Sequence, residues 1–168
     1  MSEINKNATS PDYKTSLEKH GFLAFVPRGN SMWPTLKNAK QSVVLMPKSK
    51  RLKRMDVAMY MRDDKTFVLH RVIEVKDDGY VFCGDSMPMT LKEYVREDQV
   101  FGVMVGYYKR KRYISAEDDA FILRGEKLYK HEKCRLLKVK IANFLSRVKN
   151  KLKRILSFKR VKKKNIKD

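Results

Sequence analysis

The sequence predicts a mostly β domain followed by a basic helical tail, and three observations support this. Between Gly21 and Ser115, short runs rich in Val, Phe, Tyr and Met alternate with turn residues, as in antiparallel strands. From Glu117 onward, apolar residues recur at helical spacings of three and four. The 168 residues, 42% hydrophobic and 35% charged, suffice for one modest core with an appendage. We therefore expect a lead-in over residues 1–20, a β-domain over 21–116 and a tail over 117–168.

The N-terminal residues are polar and of mixed charge. We expect residues 1–20 to be a flexible lead-in that ends in a short helical turn around Ser16–His20. They contain no apolar core of a secretory signal, and the longest apolar stretch, Val100–Tyr108, is far shorter than the roughly 18 residues of a transmembrane helix. This predicts a cytoplasmic protein, with peripheral attachment to the inner face of the cell membrane as an open alternative.

Six candidate strands lie in the β-rich region: Phe22–Pro27, Ser42–Met46, Val57–Arg62, Thr66–Val75, Tyr80–Cys83 and Val100–Tyr108. Asp77-Asp78-Gly79 predicts a hairpin between two of them, because glycine tolerates the positive φ of tight turns. Asp63-Asp64-Lys65 indicates a second hairpin. Consecutive hairpins over so short a segment predict an antiparallel sheet coiled into a partly open barrel.

The tail is predicted to be helical and strongly basic. Ser115 is the expected N-cap of its first helix, and a long amphipathic pattern runs from about His131 to Val161. Of the net charge of +20, residues 1–116 carry +8 and residues 117–168 carry +12. The apolar stripe could pack on the β-domain or on a second copy, or lie in an anionic membrane surface through residues 131–164. Nucleic-acid binding is disfavoured, since no helix-turn-helix pattern is present.

Two cysteines, Cys83 and Cys134, stand far apart without metal-ligand spacing. We expect both to be reduced thiols, one of them buried. The sequence implies no metal and no organic cofactor.

Gly29-Asn30-Ser31-Met32-Trp33-Pro34-Thr35-Leu36 is the most informative segment. Gly29 permits a sharp turn before Ser31, and Pro34 stiffens the chain after it. A serine on such a turn can present its hydroxyl to a cleft, with its own backbone N–H as an oxyanion donor. Taken alone, the segment is more typical of an ordinary turn with a capping serine.

Two further segments supply the partners that a nucleophilic serine needs. His70 stands inside the apolar strand Val68–Ile73, and Asp85 follows the next strand in Gly84-Asp85-Ser86. Because the two strands form a hairpin, the His70 and Asp85 side chains could be neighbours. Serine, histidine and aspartate are the nucleophile, base and orienting group of a catalytic triad. Arg71 is expected to form a structural ion pair.

These segments together resemble the type I signal peptidases and their LexA-like relatives over about residues 21–113. Gly29–Leu36 resembles the family's serine box, His70–Ile73 its general-base box and Gly84-Asp85 its Gly-Asp box. Histidine rather than lysine at the base position resembles the Ser/His branch found in archaea, the endoplasmic reticulum and spore formers. The resemblance implies the coiled antiparallel β-fold of that superfamily.

The resemblance also implies a serine endopeptidase acting on a leader or signal-type peptide. Ser31 would be the nucleophile and His70 the general base, with Asp85 orienting His70. The chain departs from the family in two respects. No second acid follows Asp85 before Glu93, which leaves a Ser/His dyad as an alternative, and the transmembrane anchor is missing. The alternative function is a catalytically silent β-domain that binds a membrane or a partner, and a LexA-like regulator linked to nucleic acid is less favoured.

Overall fold

The computed structural model describes residues 11–164, and the side chains of residues 13–151 except 133, 135 and 139. The described chain forms three α-helices and eight β-strands: α1 Pro11–His20, β1 Leu23–Phe25, β2 Ser42–Pro47, β3 Val57–Met61, β4 Phe67–Lys76, β5 Gly79–Cys83, β6 Glu93–Arg96, β7 Val100–Lys109, β8 Arg112–Ser115, α2 Asp119–Lys130 and α3 Glu132–Lys164. Short 3₁₀ turns lie at Met89–Leu91 and Glu97–Gln99. The chain divides into two compact units after Glu132, so α2 belongs to the first unit.

The first unit is built on one open, wholly antiparallel sheet. Its strand order is β1-β2-β7-β3-β4-β5-β6, and β8 pairs with the end of β7. The predicted mostly antiparallel β architecture is therefore confirmed, but the sheet does not close. It is strongly curled, since Tyr60 on β3 hydrogen-bonds with Glu93 on β6 although β4 and β5 lie between these strands.

Curling gives the sheet two apolar sides. One core cluster, which includes Tyr60, Phe82 and Val100, lies on the inside of the curl. A second cluster, the outer core, includes Leu45, Met104 and Phe121 and is covered by the helices of the first unit. A third, smaller cluster consists of Ile73, Val81 and Cys83. β3 contributes side chains alternately to the first two clusters, with Val57 and Met59 in the outer core and Ala58 and Tyr60 in the inner one, as period-2 alternation requires. Adjacent residues of one strand can therefore enter quite different surroundings, which matters for the site described below.

Residues 11–20 form more structure than the short turn expected around Ser16–His20. α1 is ten residues long, and its Leu17 is almost completely buried in the sheet's outer core. Tyr13 packs against Phe25 and Phe67 with ring centroids 5.6 Å away in both cases. The expected flexible lead-in is thus wrong for this part of the segment, because these side chains anchor it to the sheet. Residues 1–10 lie outside the described residues.

The six candidate strands are present, each within two residues of its expected ends, and both hairpins form. β6 and β8 were not predicted, since both are only four residues long and largely polar. Gly79 has no positive φ. Its role is close packing: an added Cβ would lie 2.4 Å from the Val95 carbonyl oxygen on β6.

The predicted tail spans two different helices. α2 is capped by Asp118, whose carboxylate accepts a hydrogen bond from the Ala120 N–H, so the expectation of Ser115 as N-cap is wrong. Its Phe121 and Gly125 are buried in the first unit. α3 follows from Glu132 and makes up the second unit with the residues after it. Within the described residues, neither helix contains a stretch apolar enough to cross a bilayer.

Candidate active site

Ser31 and His70 line the same pocket, which has a volume of about 300 Å³. Its walls combine the turn after β1, the start of β4 and the loop after β5. The lining residues are Pro27, Arg28, Gly29, Ser31, Met32, Leu36, Lys37, Arg62, Phe67, Val68, Leu69, His70 and Met87. The sequence segments singled out for Ser31 and His70 thus meet at one place. In the described residues no hydrogen bond joins the Ser31 hydroxyl to His70.

The Ser31 turn is held by hydrogen bonds at both ends. Gly29 has φ +105°, a conformation that residues other than glycine rarely adopt. Its N–H donates to the Asn38 side-chain oxygen at 3.0 Å. After the serine, the Leu36 N–H donates to the Met32 carbonyl at 2.8 Å. Met32 and Leu36 are buried in the outer core. Ser31 is therefore presented by a rigid turn whose apolar neighbours anchor it.

The Gly84-Asp85-Ser86 segment clamps this turn from the other side. The Ser86 N–H donates to the Ser31 carbonyl at 2.8 Å, and the Ser86 hydroxyl donates to the Asn30 carbonyl at 2.8 Å. Gly84 allows this approach, because a Cβ there would lie 2.8 Å from the Ser31 carbonyl oxygen. Asp85 accepts a hydrogen bond from the Thr35 hydroxyl at the far end of the turn. The segment thus fixes the Ser31 turn at both ends.

Among the described residues, Asp85 makes no hydrogen bond with His70, so the structure does not show the predicted orienting contact. Arg71 donates to both of its oxygens at 2.8 Å, from Nε and Nη2, and the Tyr129 hydroxyl donates at 3.2 Å. The physical reason is strand alternation, since His70 and Arg71 are neighbours on β4 and face opposite sides of the sheet. Asp85 lies on the Arg71 side. The expected structural ion pair of Arg71 is confirmed, with both partners buried.

His70 is buried inside the curl, and burial lowers the pKa of its imidazole to about 4. The negative charge of Glu93 opposes this shift only in part. The ring is therefore neutral near pH 7. A neutral imidazole has one bare nitrogen, which is what a general base requires.

Tyr60 and Glu93 hold His70 on its Nδ1 side. The Tyr60 hydroxyl lies 3.3 Å from His70 Nδ1 and donates a hydrogen bond to Glu93 at 3.2 Å. Because its one proton goes to Glu93, its oxygen accepts from Nδ1–H. This arrangement favours the tautomer in which Nε2 carries no proton. Burial raises the pKa of Tyr60, so the hydroxyl stays protonated.

Glu93 is in turn fixed by Arg62, which forms two hydrogen bonds with its carboxylate, one of them 2.7 Å long from Nε. These hydrogen bonds lower the pKa of Glu93 and keep it charged. Arg62, Glu93 and Tyr60 therefore form a connected series that ends on His70. We call these three residues the Tyr60 relay.

The sequence does not predict the Tyr60 relay. In the sequence, Glu93 stands out only as the first acid after Asp85, and Tyr60 only as part of a strand. One signal could have found Tyr60: it lies two positions along β3 from Ala58, the register partner of His70, and therefore on the same face. No comparable signal marked Glu93, because its contact depends on the curl of the sheet.

The free thiols behave as expected, with Cys83 buried and Cys134 exposed. Among the described residues, no group of three or more His, Cys, Asp and Glu side chains is placed to hold a metal ion. In comparisons with protein-family models and with curated proteins, the chain matches none of them.

Proposed function

We propose that the protein is a serine peptidase in which Ser31 attacks a peptide carbonyl and His70 acts as the general base. One observation carries this proposal: Ser31 and a buried, neutral His70 line one pocket, and the Nδ1 side of the imidazole is already occupied by Tyr60. Nε2 is then the atom left to take a proton. The turn that carries Ser31, the strand that carries His70 and the strand that carries Tyr60 are separate chain segments that meet to produce this arrangement.

In the proposed mechanism, the Ser31 hydroxyl adds to the carbonyl carbon while its proton passes to His70 Nε2. The backbone N–H of Ser31, with a neighbouring amide, stabilises the oxyanion. The tetrahedral intermediate then collapses, the peptide C–N bond breaks, and His70 returns the proton to the departing amine. Water hydrolyses the acyl-serine by the same steps, with His70 again as base.

Asp85 has a positioning role in this proposal. It holds Thr35 and Arg71, while its neighbour Ser86 holds the Ser31 carbonyl. The Tyr60 relay replaces it as the group that orients the base. Glu93, rather than Asp85, is then the carboxylate that orients His70, and it acts through the Tyr60 hydroxyl.

The sequence resemblance to the signal peptidases supports the same reaction class and suggests a leader or signal-type peptide as substrate. We propose that the peptide binds in extended form beside the pocket. The pocket lining includes Arg28, Lys37 and Arg62 and no acidic residue. Arg62 is paired with Glu93, but Arg28 and Lys37 are exposed at the rim and favour a substrate with an acidic side chain near the cleaved bond.

The proposal is tested by incubating the purified full chain with a proteome-derived peptide library and identifying new termini by mass spectrometry. We expect the chain to cleave a subset of peptides with a shared sequence preference. Ser31→Ala should reduce cleavage by at least about a thousandfold, because no other group supplies the nucleophile. Ser42→Ala is the matched control, since Ser42 lies on β2 outside the pocket and this variant should cleave normally.

A second candidate function is a catalytically silent binding domain, and the missing hydrogen bond between Ser31 and His70 favours it. The library experiment separates the two candidates. No cleavage by the intact chain, or equal cleavage by Ser31→Ala, would reject the peptidase and leave the binding domain.

A further inference from the structure

The described part of α3 carries an exposed apolar stripe. Successive residues of an α-helix are about 100° apart around its axis. On this projection, five large apolar side chains of α3 fall within one arc of about 100°. They are Leu137, Ile141, Phe144, Leu145 and Val148. Each is between 39% and 65% exposed. An aligned stripe of large apolar side chains that remain in contact with water marks a surface that binds something apolar.

Between residues 136 and 151, basic residues flank this stripe on both sides instead of standing opposite it. On the same helical projection, Lys138 and Lys149 border one edge, and Lys140, Arg147 and Lys151 border the other. All five are exposed. Over the same residues, 136–151, the side opposite the stripe carries neutral residues. They are Ala142, Asn143, Ser146 and Asn150. The positive charge is thus concentrated along the edges of the apolar surface.

This arrangement disfavours a second copy of the chain as the occupant. Two such stripes packed together, in either direction, would place lysine and arginine beside lysine and arginine along both edges. No acidic residue lies between Glu132 and Asp168 to relieve that repulsion. A nucleic acid would pair with the charges and leave the apolar side chains in water. A partner that covers this surface must therefore offer apolar groups to the stripe and negative charges to the basic residues that flank it.

We infer that α3 lies in the interface of a lipid bilayer that contains anionic headgroups. The apolar stripe enters the acyl region, while the long flanking side chains extend outward to the phosphates. The neutral opposite side faces water. Each basic residue near an anionic leaflet increases the affinity by roughly fivefold. The inference is independent of the proposed peptidase function, because it uses no residue of the pocket.

The test measures co-sedimentation of the full chain with vesicles of phosphatidylcholine and phosphatidylglycerol in equal parts, and with vesicles of phosphatidylcholine alone. We expect binding to the anionic vesicles, weakened by high salt, and at least about tenfold weaker binding to the neutral ones. The double variant Ile141→Ala, Phe144→Ala should lower the affinity by about tenfold or more at unchanged charge. Alanine preserves helix propensity, which circular dichroism would check.

Charge placement is tested with two double variants of equal net charge. Lys138→Gln, Lys149→Gln removes two flanking charges of α3 and should weaken binding about 25-fold. Lys50→Gln, Lys111→Gln removes two exposed charges of the first unit and should change binding little. Three results would overturn the inference: no binding of the intact chain to anionic vesicles, equal weakening by both charge variants, or unchanged binding of the alanine variant. If α3 binds an acidic protein and not a membrane, the intact chain will not bind the anionic vesicles, which is the first of these three results.

Discussion

His70 and Arg71 are adjacent on β4, both are buried, and their surroundings differ in kind. Arg71 donates to Asp85, to Thr35 and to the Met55 carbonyl, and its guanidinium lies 4.9 Å from the centre of the Phe121 ring. It remains charged, with its donors directed at fixed acceptors. His70 is neutral, has one hydrogen-bonding neighbour, Tyr60, and reaches an open pocket.

The difference indicates how one strand can serve two purposes. A buried charge whose partners are all fixed stabilises the architecture, and here it also fixes the Ser31 turn through Asp85 and Thr35. A buried neutral base with one occupied nitrogen is available for proton transfer. Under the proposed function, the face of Arg71 positions the Ser31 turn, and the face of His70 supplies the base.

The largest expected effect is on stability and comes from the Arg71 face. Arg71→Met leaves Asp85 buried without its counter-ion, which should lower the free energy of unfolding by about 3–5 kcal/mol in urea titration. Arg96→Met is the matched control, because the ion pairs of Arg96 with Asp63 and Asp98 are exposed, and it should change stability little. Adding Asp85→Asn to Arg71→Met should recover part of the loss. Equal losses for Arg71→Met and Arg96→Met would contradict the structural role of the buried pair.

On the other face, His70 should make the free energy of unfolding depend on pH. Burial lowers the pKa of His70 to about 4, from an ordinary value of 6.5. Between these values the unfolded chain binds a proton that the folded chain does not, so stability is complete above pH 6.5 and falls as the pH drops towards 4. The contribution amounts to about 3 kcal/mol. His70→Gln and His70→Asn should each flatten this part of the stability profile, as measured by urea titration at several pH values. An unchanged slope in both variants would show that folding does not lower the pKa of His70.

The sequence predicted local features well and the contacts across the curl poorly. Alternation in β4 was sufficient to place His70 and Arg71 on opposite faces, and the Gly29 turn was sufficient to single out Ser31. The hairpin connection suggested Asp85 as a neighbour of His70, but the β4–β5 register pairs Arg71 with Cys83, two residues before Asp85. The Tyr60–Glu93 contact joins β3 to β6 and depends on how far the sheet curls. Local propensity and spacing do not determine that curl.

The smallest expected effect separates orientation of His70 from simple packing. Tyr60→Phe removes the acceptor of Nδ1–H, so the imidazole can adopt the wrong tautomer, and kcat on a cleaved peptide should fall about tenfold with KM unchanged. Stability should fall by about 1 kcal/mol. Tyr80→Phe is the matched control. Its hydroxyl is also in the inner core, where it bonds Leu52 and Glu97 away from the pocket. It should lose similar stability at unchanged kcat, whereas an equal fall in kcat for both variants would mean that Tyr60 acts only as packing.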